Sequence, residues 1–200
     1  MKTFFVSTVL LLLAHRSDSA TLVINWSVAT DPVRKLVNNN SVPLSAGTSA
    51  AGDGTLLELG FYTTATVSNP FSGSWVLIAS TTMGDDGVNI NGKFSTSTVL
   101  SSGIFSEPAI GTPLAIRFYD GTSVGNSSYF NSVSNTNGTW NYVAPAEVAP
   151  VVSMVIDKVS GVVFDGAFGD FKTVRPIPEP SYVVLTLLSV IPMLLGRRRN

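Results

Sequence analysis

Between residues 21 and 175, no twelve-residue window places apolar side chains at helical spacing, and this excludes more folds than any motif suggests. An amphipathic helix needs an apolar side chain every three or four positions to make a buried stripe. Here the apolar residues instead cluster in short runs, at 21–29, 56–66, 75–82, 94–100, 114–119, 139–144, 151–159 and 162–168. The runs are rich in Val, Ile, Thr, Phe, Tyr and Trp, whose branched or flat side chains suit a pleated, half-buried surface. Within 114–119, Leu114, Ile116 and Phe118 share one face while Arg117 and Tyr119 take the other. Turn-forming pairs separate the runs: Asn69-Pro70, Asp85-Asp86-Gly87, Asn91-Gly92, Asp120-Gly121 and Asn137-Gly138. The expectation is an all-β domain over 21–175, a single antiparallel β-sandwich of jelly-roll-like order. Segment 31–55 fits it worst. It is a long loop rich in Asn, Ser, Ala and Gly, with room for an edge strand near residues 42–44.

The two ends read differently. Lys2 followed by an eleven-residue apolar run at 4–14 and the polar stretch 15–19 has the layout of a signal peptide over 1–20. Cleavage after Ala20 and cleavage after Ser19 fit the small-residue requirement comparably well. The run is too short to cross a bilayer, which takes about 20 residues. At the other end, Pro178-Glu179-Pro180 precedes an apolar stretch at 181–196 and then Arg197, Arg198 and Arg199. As a helix that stretch would be ~24 Å long, short of the ~30 Å hydrocarbon core unless Tyr182 and the arginines extend it at the interfaces. The arginine cluster favours a cytoplasmic C-terminus and a domain on the far side of the membrane. Residues 173–177 read as a short extended linker raising the domain from that membrane.

Pro-Glu-Pro, an apolar helix and a terminal arginine cluster, in that order, resemble the PEP-CTERM sorting signal of exopolysaccharide-producing Gram-negative bacteria. The resemblance covers 23 residues, 178–200, and carries address information alone. It implies export through the inner membrane, transient single-pass anchoring, processing near residues 178–180 by an exosortase (a membrane-embedded cysteine transpeptidase), and delivery to the envelope, outer surface or extracellular matrix. Removal of the tail and its retention as an anchor both fit.

Setting the ends aside changes the charge. The whole chain has a net charge of −1, whereas residues 21–196 carry seven basic and twelve acidic side chains, a net of −5. Such a domain repels phosphate backbones, which argues against nucleic-acid binding. The chain has no cysteine, and its one histidine, His15, lies in the expected signal peptide. A Ser-His-Asp triad, a cysteine nucleophile and a histidine-ligated zinc are therefore excluded from the mature domain.

Three constellations survive that filter. Asp85, Asp86, Asn89 and Asn91 offer hard oxygen ligands for calcium, the one cofactor in view, although a solvated hairpin turn explains the same residues. Trp140 and Tyr142, two apart and on one face if 139–144 is a strand, could join Trp75 in a platform for sugar rings; filling the core is the plainer use of such side chains. Two carboxylates alone could run a glycosidase, and twelve acidic residues make some pair inevitable. The reading that results is an exported, non-enzymatic β domain of matrix, adhesion or surface structure, associated with exopolysaccharide. Its alternatives are a carbohydrate-binding module and a carboxylate-dependent glycoside hydrolase.

Overall fold

The computed structural model describes residues 20–29, 34–48, 50–85, 89–157, 161–165 and 171–176. Residues 1–19 of the expected signal peptide, Asp86, the Pro178-Glu179-Pro180 motif, the apolar tail and its arginines lie outside these residues. Within them, no helix is long and apolar enough to cross a membrane.

The fold is all-β with two sheets, and one 3-10 turn at Val124–Asn126 is the only helical element among the described residues. The strands are β1 (Thr21–Val28), β2 (Leu56–Tyr62), β3 (Trp75–Thr82), β4 (Ser95–Ser101), β5 (Leu114–Tyr119), β6 (Tyr129–Asn135), β7 (Val151–Ile156), β8 (Val162–Phe164) and β9 (Arg175–Pro176). The smaller sheet runs β4-β1-β7. The larger runs β3-β2-β5-β6-β8, and β9 also pairs with β6, so β8 and β9 lie end to end along its outer edge.

Alternation explains both sheets. In β1, Leu22, Ile24, Trp26 and Val28 are buried and the residues between them point outward; in β7, Val152, Met154 and Ile156 do the same. These side chains share one core with Leu57, Leu59 and Phe61 of β2, Leu114, Ile116 and Phe118 of β5, and Val133 of β6. Trp26 meets Phe94 edge-on at 5.5 Å, and its indole N–H donates to Thr98 Oγ1 at 3.1 Å. Truncating a fully buried Trp of this kind costs about 3–5 kcal/mol.

Five sequence expectations need correction. The sheets are not purely antiparallel, because β1 pairs with β7 in parallel, Val23 opposite Val151 through Val28 opposite Ile156. Parallel neighbours need a long crossover, and more than a hundred residues separate these two; alternation within a strand carries no information about the direction of its partner. The segment 139–144 is not a strand but an irregular stretch bonded to 111–114, with Leu114 N–H donating to Trp140 O and Tyr142 N–H to Thr112 O. The third is β6, Tyr-Phe-Asn-Ser-Val-Ser-Asn, a strand that none of the apolar runs marks, because its apolar residues are interrupted by Asn and Ser. They are buried because each finds a partner: Asn131 Nδ2 donates to Lys172 O at 2.8 Å and Ser134 Oγ to Leu114 O at 2.7 Å.

The last two corrections are the linker and the edge strand near 42–44. Phe171 and Thr173 are buried, Val37 N–H donates to Phe171 O and Thr173 N–H to Val37 O, and the chain then enters β9. The described part of 173–177 is therefore fold, not spacer. Within 31–55, Leu36 and Leu44 enter the core, and Asn38 Oδ1 accepts the N–H groups of Asn40 and Val42 to close a tight turn. The expected edge strand near 42–44 shrinks to a single bridge between Val37 and Pro43.

Candidate functional site

The residues with most chemistry lie on the face of the larger sheet turned away from the core. Because Leu57, Leu59 and Phe61 face inward, Glu58, Gly60 and Tyr62 must face outward, and β5 sends Arg117 and Tyr119 to the same side. Antiparallel register sets Glu58 opposite Arg117, and Arg117 opposite Ser132 of β6. On the edge strand, Trp75 stands opposite Tyr62.

Arg117 is the hub. Its guanidinium lies 4.3 Å from the Trp75 ring centre, 5.0 Å from Phe130 and 5.1 Å from Tyr62. It also donates to the Tyr62 hydroxyl from Nε at 3.3 Å and Nη2 at 3.2 Å, and that hydroxyl shares a 2.7 Å hydrogen bond with Ser132 Oγ. Glu58, 7% exposed, accepts through Oε2 from the Trp75 indole N–H at 3.0 Å and the Tyr119 hydroxyl at 2.7 Å. Burial, then the hydrogen bond and charge of Glu58, push the Tyr119 hydroxyl well above its ordinary pKa, which makes it a poor proton donor. Gly60 makes room for this arrangement. A Cβ there would sit 2.2 Å from Val76 O and 2.7 Å from the Trp75 ring. The strand register also slips between Leu59 and Gly60, where β3 carries an extra residue.

Chemically, the cluster is a brace. The cation is enclosed by rings, and the carboxylate is held by two donors. Four more of the described carboxylates follow the same pattern. Asp53 Oδ1 accepts from Thr48 N–H at 2.9 Å, and Asp120 Oδ1 accepts from the N–H groups of Ser128 and Tyr129. Glu107 accepts from Ser102 Oγ, Gly103 N–H and the Tyr142 hydroxyl. The first of these by size, the Gly103 N–H, leads in holding the Glu107 carboxyl below its ordinary value, while burial, aided by Glu107, pushes the Tyr142 hydroxyl up to about 12. Asp165 bonds Arg175 at 2.8 Å; burial raises its carboxyl, with the charges of Arg175 and Arg117 pulling back.

The sequence-derived candidates fare unevenly. Trp140 and Tyr142 are 3% and 1% exposed, so neither offers a flat face to a sugar; their rings were needed for the core. Trp75 stays half-buried, with its ring taken up by Arg117, Tyr62 and Gly60. Of the calcium candidates, Asp85, Asn89 and Asn91 are exposed, and Asn91 Oδ1 accepts the Ala46 N–H at 2.9 Å. Among the described residues, no three acidic or histidine side chains come together as a metal site. Sequence reasoning missed the Arg117 hub, although its signal was present: one acid and one base of opposite sign, each alone in an apolar strand.

One recess lies beside β7. Asn135, Asn137, Thr139, Ser153 and Asp157 line it together with Trp140, Val155 and Val162, around a cavity of about 230 Å³. That is below the roughly 300–1,000 Å³ of ordinary ligand pockets.

The chain matches no known family model, no curated protein and no solved structure. Its function must be argued from this geometry and from the ends of its sequence.

Proposed function

We propose that this is an exported, envelope-sorted, non-enzymatic protein. Its jelly-roll-like β-sandwich would serve matrix, adhesion or surface structure beside exopolysaccharide, and its tail would be a PEP-CTERM signal handled by an exosortase. The observation that carries the non-enzymatic part is the use made of the carboxylates. Glu58, Asp53, Glu107, Asp120 and Asp165 each accept hydrogen bonds from the protein's own donors, which fixes loops, strand ends and the hub. A glycosidase needs two carboxyl groups facing each other across a cleft, about 5–10 Å apart, with one free to donate a proton. The test is to incubate the purified domain with panels of glycans and esters; turnover that survives repurification would overturn the non-enzymatic reading. The sorting part rests on residues 178–200 and is tested by Glu179→Ala in the native host. Export should continue while unprocessed, membrane-retained protein accumulates, and normal processing would refute it.

A second reading, binding of a neutral sugar, draws support from the recess beside β7, where amide and hydroxyl groups stand next to apolar Val155 and Val162. Affinity electrophoresis on a glycan panel tests it, with a known binder as control. Mobility unchanged across the panel would remove this reading and leave the first intact.

A further inference from the structure

Two open sheets have four edges: β4 and β7 in the smaller, β3 and the line of β8 and β9 in the larger. An edge strand offers unpaired backbone groups to any strand that comes alongside, and folded proteins blunt it with bulges, proline, charge or cover. Three of the four are blunted. β3 carries its extra residue opposite Leu59 and Gly60, and β9 holds Pro176 and the Arg175–Asp165 ion pair. β7 is faced across its recess by Asn135, Asn137 and Trp140. The exception is β4. Its seven residues, Ser-Thr-Ser-Thr-Val-Leu-Ser, include no charge, proline or glycine, and they follow β1 in unbroken register from Ser95 opposite Ser27 to Ser101 opposite Thr21. Val28 N–H donates to Phe94 O and Ser102 N–H to Ala20 O, so the bonded pairs fall on the even-numbered residues of this stretch. Thr96, Thr98 and Leu100 therefore turn their backbone groups toward β1. Ser97 and Val99 turn theirs outward, where none of the described residues meets them, and both side chains are exposed, Val99 at 63%.

We propose that β4 is the docking edge for a second copy of this chain, joined antiparallel about a twofold axis through Thr98. Ser97 of each copy then lies opposite Val99 of the other, and the outward N–H and C=O groups of both are exchanged. Faces match as well: Thr96 meets Leu100 on the core side, whereas a slip of one residue would set core-facing side chains against outward ones. A slip of two keeps the faces but pairs only five of the seven residues. Charge favours the same edge. With a net of −5 over residues 21–196, two copies repel at most contacts, but residues 95–101 carry no charge, and neither do Val23, Asn25, Val151 and Ser153 on the sheet face beside them. The result is one six-stranded sheet running β7-β1-β4 through each copy. This pairing belongs to the folded domain and stands apart from the sorting reading.

The chain has no cysteine, so a single introduced thiol is unique. Full-length Ser97→Cys and Val99→Cys chains, purified in detergent, are oxidised separately and as a mixture. In the proposed register residues 97 and 99 of different copies are directly opposed, with Cα atoms about 5.5 Å apart and within disulfide range. Identical positions lie diagonally, about 7–8 Å apart, and out of reach. The mixture should give at least tenfold more disulfide-linked dimer on non-reducing electrophoresis than either chain alone. Val99→Pro removes an outward N–H and no bond to β1, and should lower the dimer fraction in sedimentation at least fivefold at an unchanged melting transition. If that variant fails to fold, the crosslinking decides alone. Linked dimer from one variant by itself at the level of the mixture overturns the axis at Thr98. No linked dimer in any sample, or a dimer fraction untouched by Val99→Pro, overturns the pairing.

Discussion

Replacing Arg117 by Ala probes whether the polar face stabilises the fold or merely decorates it. Three rings surround the guanidinium at 4.3–5.1 Å. A partly desolvated cation over aromatic faces is worth about 1–2 kcal/mol in all, since the three rings share one charge. The two long hydrogen bonds to the Tyr62 hydroxyl add ~0.5–1 kcal/mol. Loss of the aliphatic stem, which covers apolar ring surface, adds about as much again. The expected total is about 3 kcal/mol, a fall in Tm of roughly 10 °C for a domain of this length. Urea unfolding of residues 20–176, followed by tryptophan fluorescence, measures it. Trp26 and Trp140 are buried in the core, so a red shift in the folded baseline reports chiefly on Trp75. Arg117→Met keeps the stem and removes the charge, and should recover about a third of the loss; Arg117→Lys should fall short of wild type because an ammonium cannot stack flat on the rings. A loss below ~0.5 kcal/mol for Arg117→Ala, with no change in Trp75 emission, would show that the ring contacts contribute nothing.

Other outcomes follow from the same geometry. Gly60→Ala should destabilise by about 1–3 kcal/mol in the same assay, because its Cβ would collide with the Val76 backbone as well as the movable indole of Trp75. Ultraviolet titration should show Tyr142 ionising near 12; since this folded-state value is raised, its contribution to stability is complete below the ordinary value of 10.0 and is lost as pH climbs toward 12. Glu107→Gln should lower that value only in part, because burial is its first cause. For Glu107 itself the sign reverses: the depressed carboxyl stabilises above its ordinary value of 4.5, and acid titration of wild type against Glu107→Gln should show that benefit lost as pH falls below it.

Strand content was largely legible from sequence where alternation was strong. β1, β3, β5 and β7 begin where the apolar runs begin, since residue type and period point the same way there. β6 was hidden because Asn131, Ser132 and Ser134 are polar yet buried, a state that depends on partners distant in the chain. The reverse error at 139–144 came from two aromatics at strand spacing whose neighbours Gly138 and Asn141 hold a turn, with Asn141 N–H donating to Gly138 O. The Arg117 hub was half legible. Its face could be assigned from 114–119 alone, but the three rings come from β2, β3 and β6 and meet only through register. Platform residues were misjudged because a Trp two positions from a Tyr looks the same whether the pair faces water or the core.

The parallel pairing of β1 with β7 has a consequence in time. A chain made from its N-terminus delivers Thr21–Val28 early, yet that strand occupies the centre of its sheet, between β4 and β7. Its first neighbour arrives some seventy residues later and its second only at Val151. Until then Leu22, Ile24 and Trp26 have no second flank, so the smaller sheet closes only after most of the polypeptide exists. The first strand made is therefore among the last to be completed, and its apolar side chains wait without one or both sheet neighbours while the chain from Val28 to Val151 emerges.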